Sequence, residues 1–197
     1  MVRSGYDDEA VTRAALAAKA GDRAAASAFV EMTQRTVRGF LAHLCAPSDV
    51  DDLTQETYLR ALRSLRGFAG RSSARTWLLA IARNVAADHV RDAVRRPRPA
   101  SLDARDPAAV TPRTLRTGGF DDGVALRHLL EGLAPDRREA FIATQVLGLS
   151  YAEAAEVCGC PIGTIRSRVA RARDDLVNAY RHGQPGQAPV ARSGDVV

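Results

Sequence analysis

The stretch RRPRPASLDARDPAAVTPRTLRTGG, Arg95 to Gly119, carries Pro97, Pro99, Pro107 and Pro112 and shows no apolar period. Proline has no amide hydrogen and fixes φ, so such a run can be neither an α-helix nor a central strand and reads as an extended linker. It divides the chain. Helical patterning runs from Glu9 to about Val94, resumes near Asp121 and continues to about Arg181, where a polar Gly/Pro tail, HGQPGQAPVARSGDVV, begins. The 46% hydrophobic content is enough for packed cores. The low aromatic content, with abundant alanine and leucine and few β-branched runs, favours helix over sheet. The expected fold is all-α: two small helical domains, 9–94 and 121–181, joined by a flexible linker, 95–120, and followed by a disordered tail, 182–197.

The formal net charge is +5, and Lys19 is the only lysine, so almost every cation is a guanidinium suited to phosphate contacts. Three cysteines, Cys45, Cys158 and Cys160, cannot all pair within the chain, and the histidines His43, His89, His128 and His182 are scattered. Four zinc ligands at recognisable spacing are missing, so no metal or cofactor is expected. The apolar setting of the thiols speaks against a redox sensor. Without a signal peptide or long apolar span, the expected location is the cytoplasm, with no membrane contact of the chain's own.

CGCPIGTIRSRVARAR, Cys158 to Arg173, packs arginines behind two cysteines. At about 100° per residue, Ile162, Ile165, Val169, Ala172 and Leu176 form a core stripe. Gly163, Ser167, Ala170 and Arg171 point away, flanked by Arg166 and Arg173 on one side and Arg168 on the other. Small side chains at the centre allow close approach to a major groove, and flanking guanidiniums reach its phosphate walls. Upstream, SYAEAAEVC can be capped by Ser150 with Glu153 completing a capping box, Gly159 makes the tight turn, and Pro161 suits the first turn of the next helix. The pattern is a helix-turn-helix, with Cys158 and Cys160 packing the turn. The alternative is a solvated charged helix, but no acidic residue interrupts the arginines between Glu156 and Asp174.

In SDVDDLTQETYLRALRSL, Ser48 or Asp49 can cap a helix whose buried stripe is Val50, Leu53, Thr57, Ala61 and Leu65. Asp52, Gln55, Glu56 and Leu59 lie opposite. An acidic face with an exposed leucine suits a protein partner, although a solvated face with one stray leucine fits these residues equally. Asp51, Asp52 and Glu56 also allow a divalent-metal nuclease, but adjacent Asp51 and Asp52 diverge by about 100° on a helix. Next, Gly67, Gly70, Ser72 and Ser73 make a mobile loop bearing Phe68 and Arg71. It precedes a helix with core positions Trp77, Leu78, Ile81 and Val85 and with Thr76, Arg83 and Arg91 on its other side, Asn84 nearby. An aromatic, arginines and hydroxyls beside a basic helix could accept unstacked bases.

DVDDLTQETYLRAL, TWLLAIARNVAADHVR and GLSYAEAAEVCGCPIGTIRSRVARAR, in this order and separated by the proline-rich linker, resemble an extracytoplasmic-function (ECF) sigma factor of bacterial RNA polymerase. The resemblance spans roughly Glu9 to Tyr180. It implies a region 2 helical bundle that docks on the coiled coil of the largest polymerase subunit and opens the minus-10 element. It also implies a region 4 helix-turn-helix that binds the flap of the second large subunit and reads the minus-35 element. Partners would be core polymerase, promoter DNA and an anti-sigma factor, and the activity that of a transcription initiation factor rather than an enzyme. The core-binding set would be Asp52, Gln55, Glu56 and Leu59. The minus-10 set would be Phe68, Arg71, Ser72, Arg75, Arg83, Asn84 and Arg91, the Phe68 loop and Asn84 holding a flipped base. The minus-35 set would be Thr164, Arg166, Ser167, Arg168, Ala170, Arg171 and Arg173. Ala170 stands where many relatives have a bulky residue, which leaves the base preference there open. An ordinary helix-turn-helix regulator with a ligand-sensing first domain is the alternative.

Overall fold

The computed structural model describes residues 8–95 and 128–183, and among them there is no β-strand. Most of the expected linker and nearly all of the expected tail lie outside these residues. Four helices come first: α1 (Asp8–Lys19), α2 (Arg23–Leu44), α3 (Val50–Ser64) and α4 (Ala74–Arg95). After helical residues 128–131 follow α5 (Pro135–Phe141), widening into a π-type turn over Ile142–Val146, then α6 (Tyr151–Cys158) and α7 (Ile162–Gly183).

Local chemistry accounts for the starts and stops. The Asp22 carboxylate accepts from Ala25 N at 3.0 Å and opens α2. Pro135, at the first position of α5, supplies a preset φ where no amide partner is needed. Ser150 and Glu153 form the expected capping box on α6, with bonds of 3.2 and 2.8 Å. Gly159, at φ +62, ends α6 in the left-handed region, and Cys160 N donates back to Ala155 O at 3.1 Å. Pro161 stands one residue before α7 rather than inside its first turn, and its carbonyl accepts from Thr164 N at 2.9 Å.

The α3 stripe is buried as its spacing predicts, from Val50 through Leu53, Thr57 and Ala61 to Leu65. Its cap differs. Asp49 occupies the N-cap position without a side-chain cap bond, because its carboxylate turns sideways to His89 Nε2 at 2.9 Å and accepts from Ser48 Oγ at 3.0 Å. Along α2, Phe29, Thr33, Val37, Phe40 and Leu41 are buried, and the Thr33 hydroxyl meets Tyr58 Oη at 2.8 Å inside the α2–α3 contact.

In α4 the buried arc is wider than its periodicity predicts. Ala74, Thr76, Leu78, Leu79, Ala82, Val85 and Ala86 are buried, while Trp77 and Ile81 are only half-buried. The reason is that α1, α2, α3 and α6 all pack against it. Through the α4–α6 contact the two parts share one apolar core, which runs from Val11 and Phe29 to Ile142, Val157 and Ile165. The sequence reading of two domains on a string does not anticipate this seam. Leu130, Leu133 and Ala172 form a smaller cluster with Phe141 and Leu176.

Candidate nucleic-acid and polymerase interfaces

α7 presents the face that its sequence predicts. Ile165, Val169 and Ala172 are buried, whereas Gly163, Arg166, Ser167, Ala170, Arg171 and Arg173 are exposed. Thr164 is half-buried, and its carbonyl accepts from Ser167 Oγ at 2.9 Å. Ile162 departs from the expected stripe: at the helix start it lies beyond the reach of the core and is exposed. The flanking cations are partly engaged. Arg168 donates to Asp136 at 2.7 Å and contacts Cys160 Sγ at 3.6 Å, and Arg173 donates to Gln145 Oε1 at 2.9 Å. The small, basic centre of the helix faces solvent.

The loop before α4 is built differently from an exposed stacking platform. Leu65–Gly67 makes a 3-10 turn, and Phe68, only 4% exposed, packs on Trp77 with ring centroids 5.0 Å apart. Burying an aromatic ring is worth about 1.5–3 kcal/mol, no less than the roughly 1–3 kcal/mol of stacking on one base. Phe68 therefore gains nothing by leaving the core and supports the loop from beneath. Gly70, at φ +68, provides the bend that brings Arg71 outward. Arg71 and Asn84 are exposed, Ser72 is half-buried, and Arg91 is exposed beside Asp88.

The remaining cations of the expected minus-10 set face the second part of the molecule. Arg75, with its side chain 11% exposed, donates to the Leu147 carbonyl at 2.5 Å and lies 3.7 Å from Asp8. Arg83 donates to Glu139 at 2.7 Å. Thr76, placed on the outer side by periodicity, is buried within 3.5 Å of Glu153. Nothing in the local sequence around α4 signals these partners. Glu139 sits more than fifty residues away, and its burial inside RREAF is the one cue that an acid there has a cationic partner.

On α3, Asp52 and Gln55 are exposed, Glu56 is half-buried, and Leu59 is 50% exposed, all on one face. Arg60 holds Glu56 at 2.7 Å and Asp88 of α4 at 2.6 Å, which fixes the face against the bundle. Arg60 and Arg91 together lower the Asp88 pKa by hydrogen bonding. Leu62, three residues beyond Leu59, is also exposed and widens the apolar part of the face. The i,i+3 spacing from Leu59 makes it legible in the sequence.

All three cysteines are free thiols; Cys158 is buried and Cys160 half-buried in the turn. Burial, then the nearby Asp49 charge, pushes the Cys45 thiol up to about 11, and burial likewise pushes Cys158 upward. Neither is a ready nucleophile. Among the described residues no group of three or more His, Cys, Asp or Glu side chains could hold a metal, and no helix is long and apolar enough to cross a membrane.

A helix-turn-helix with an exposed basic centre, packed against a helical bundle that carries a separate acidic face, is an arrangement suited to a DNA-binding protein. Comparison with known proteins narrows the class. Residues 29–96 match Sigma-70 region 2, and residues 123–176 match Sigma-70, region 4. The "Probable RNA polymerase sigma-C factor" of Mycobacterium bovis is 51% identical over 177 residues, covering 90% of this chain and 95% of that protein. The "ECF RNA polymerase sigma-E factor" of Haemophilus influenzae is 34% identical, covering 80% of this chain and 88% of the other. Among solved structures, the sigma factor RpoE in complex with the anti-sigma factor NepR from Bartonella quintana has a TM-score of 0.63 at 30% identity, over 77% of this chain and 94% of that one. CnrH in complex with the cytosolic domain of CnrY shares the fold, with a TM-score of 0.68 at 23% identity over 89% and 99% of the two chains. The chain belongs to the sigma-70 family of transcription initiation factors, in its ECF branch.

Proposed function

We propose that this chain is an alternative sigma factor that binds core RNA polymerase in the cytoplasm and directs it to promoters by reading two elements. The observation that carries this reading is the exposed centre of α7, where Arg166, Ser167, Ala170 and Arg171 face solvent above the buried Ile165, Val169 and Ala172. In this reading 9–94 is the region 2 domain and 121–181 the region 4 domain, with 95–120 as the connection. α7 lies in the major groove of the minus-35 duplex, Arg171 and Arg166 reaching base edges and phosphates. Arg71, Ser72 and Asn84 receive the melted minus-10 strand. The acidic and apolar face of α3 docks on the coiled coil of the largest polymerase subunit, and region 4 on the flap of the second large subunit.

No bond is made or broken by the chain itself. Unstacking a base costs a few kcal/mol, so a site that captures the flipped base shifts the equilibrium toward open promoter. Each domain alone binds DNA weakly, and attachment to one polymerase makes the second contact intramolecular. Arg75 and Arg83 are engaged by Leu147 and Glu139 in this arrangement. DNA therefore competes with the α4–α6 seam for those two guanidiniums. An anti-sigma factor is the proposed regulator, a reading supported by RpoE with its partner NepR.

Run-off transcription with sigma-free core polymerase tests the reading. Promoter-specific transcripts are expected, and Asp52→Ala with Leu59→Ala should weaken core binding while helical content stays constant. Sequence-specific DNA binding without initiation would instead make the chain an ordinary helix-turn-helix regulator. Unchanged core affinity in the double variant would return the α3 face to plain solvent exposure.

A further inference from the structure

The loop proposed above to receive the melted strand, Phe68 to Ser73, is pinned at both ends by a helix that lies before the stretch matched by the region 2 family. At its start, Lys19 Nζ, from the last turn of α1, donates to the Phe68 carbonyl at 2.7 Å. At its end, the first amide of α4, Ala74 N, donates to Thr12 Oγ1 at 3.1 Å. The Thr12 hydroxyl donates in turn to the Asp8 carbonyl at 2.7 Å, so its lone pairs are held toward Ala74. Amides in the first turn of a helix have no partner within that helix. Here α1 supplies one from the side, and Ser73 Oγ supplies another by accepting from Thr76 N at 3.1 Å. α1 is itself anchored by Val11 and Ala15, both buried against the core. Between the two pins, Arg71 is exposed and Ser72 half-buried, and neither bonds to another described residue.

We infer that α1 is a clamp for strand capture, in which Lys19 and Thr12 are positioning residues for minus-10 recognition although neither belongs to the nucleotide-facing set. This deepens the proposed function and rests on it. A loop whose ends are already fixed loses little freedom when a strand binds, so the clamp acts on affinity for unpaired DNA. It has no route to minus-35 recognition, which α7 performs. Lys19 is exposed on the surface of α1, so replacing it removes the bond to Phe68 without opening the core.

The test uses full-length chain assembled with core polymerase. Fork-junction DNA is first selected from a random pool by the wild-type holoenzyme, and binding is then measured separately to its single-stranded minus-10 segment and its minus-35 duplex. Lys19→Met and Thr12→Val are each expected to weaken single-strand binding about tenfold, the order expected when one more loop residue must be ordered on binding. Duplex affinity and core affinity should stay at wild-type values, the Tm of the free chain should fall by no more than the few degrees that one hydrogen bond is worth, and Lys19→Arg, which keeps a cationic donor, should restore most of the loss. Wild-type single-strand affinity in both variants would overturn the clamp. So would an equal loss on the duplex, or a fall in Tm large enough to account for the loss, since either makes α1 merely architectural. A wild-type holoenzyme that selects no single-stranded sequence sinks the proposed function, and the clamp with it.

Discussion

α4 and α7 are both 22-residue helices rich in arginine, and both belong to faces expected to meet DNA, yet the fold treats them in opposite ways. α7 packs along one side, against α5 and α6, and leaves Arg166 and Arg171 in solvent. α4 is packed by α1, α2, α3 and α6, and two of its cations, Arg75 and Arg83, are turned into that packing. A guanidinium can serve as a phosphate ligand or as a structural donor to a carbonyl or carboxylate, and only its surroundings decide which. Arg83 has both in prospect: Glu139 offers it a carboxylate where DNA would offer a phosphate.

The largest effect should come from breaking that pair. Glu139→Ala leaves Arg83 half-buried without its carboxylate. Losing one partner of a well-buried ion pair costs 3–5 kcal/mol, but the Arg83 side chain is 32% exposed and can rehydrate, so about 2 kcal/mol of seam stability is expected. Small-angle scattering should then report a larger radius for the free chain, and the free chain should bind single-stranded DNA more tightly as Arg83 is released. An unchanged radius would mean that the shared apolar core, not the ion pair, holds the seam.

On α7 the corresponding change is smaller and of another kind. Arg171→Ala should cost about 1–3 kcal/mol at the preferred minus-35 sequence and leave the radius and the Tm alone, since Arg171 is exposed. Titration of duplexes carrying preferred and scrambled minus-35 sequences separates the roles. An equal loss on both would make Arg171 a phosphate clamp, and a loss of Tm would break the contrast between the two helices.

The same contrast explains what could be read before the structure. Ile165, Val169 and Ala172 fell inward and Ser167, Ala170 and Arg171 outward because a helix packed on one side is described by its own periodicity. The α3 stripe was legible for the same reason, as were the Ser150–Glu153 box and the Gly159 turn, which depend on residues within three or four positions. The surroundings of Phe68, Thr76, Arg75 and Arg83 were not legible because their partners are Trp77 across a bent loop, Glu153, Leu147 and Glu139. The last three contacts exist only once the second part of the molecule lies on α4. Asp49 failed as a cap for a related reason, its carboxylate being claimed by His89 forty residues away. Short-range chemistry was written locally; the seam was not.

A last and smaller change probes the interior of the first part, away from the seam. Tyr58 is buried between α2 and α3, bonded to Thr33 at 2.8 Å. Burial raises its pKa from 10.0 to about 12, an effect that the Thr33 bond partly opposes. The folded chain therefore favours the protonated phenol. The associated stability is complete below pH 10, where the unfolded phenol is also protonated, and is lost as pH climbs through the window up to about 12. Tyr58→Phe removes the hydrogen bond and should cost about 1 kcal/mol at neutral pH, leaving the Thr33 hydroxyl its bond to the Phe29 carbonyl. It should also flatten the alkaline limb, so that the remaining loss at high pH comes from thiols such as Cys45, pushed up to about 11. Chemical denaturation at pH 7 and at pH 11 checks both, and an undiminished limb in Tyr58→Phe would assign the alkaline sensitivity elsewhere. Because Tyr58 bonds within the α2–α3 contact, the radius and minus-35 affinity should not move; a change in either would show that the bundle and the helix-turn-helix respond as one cooperative unit.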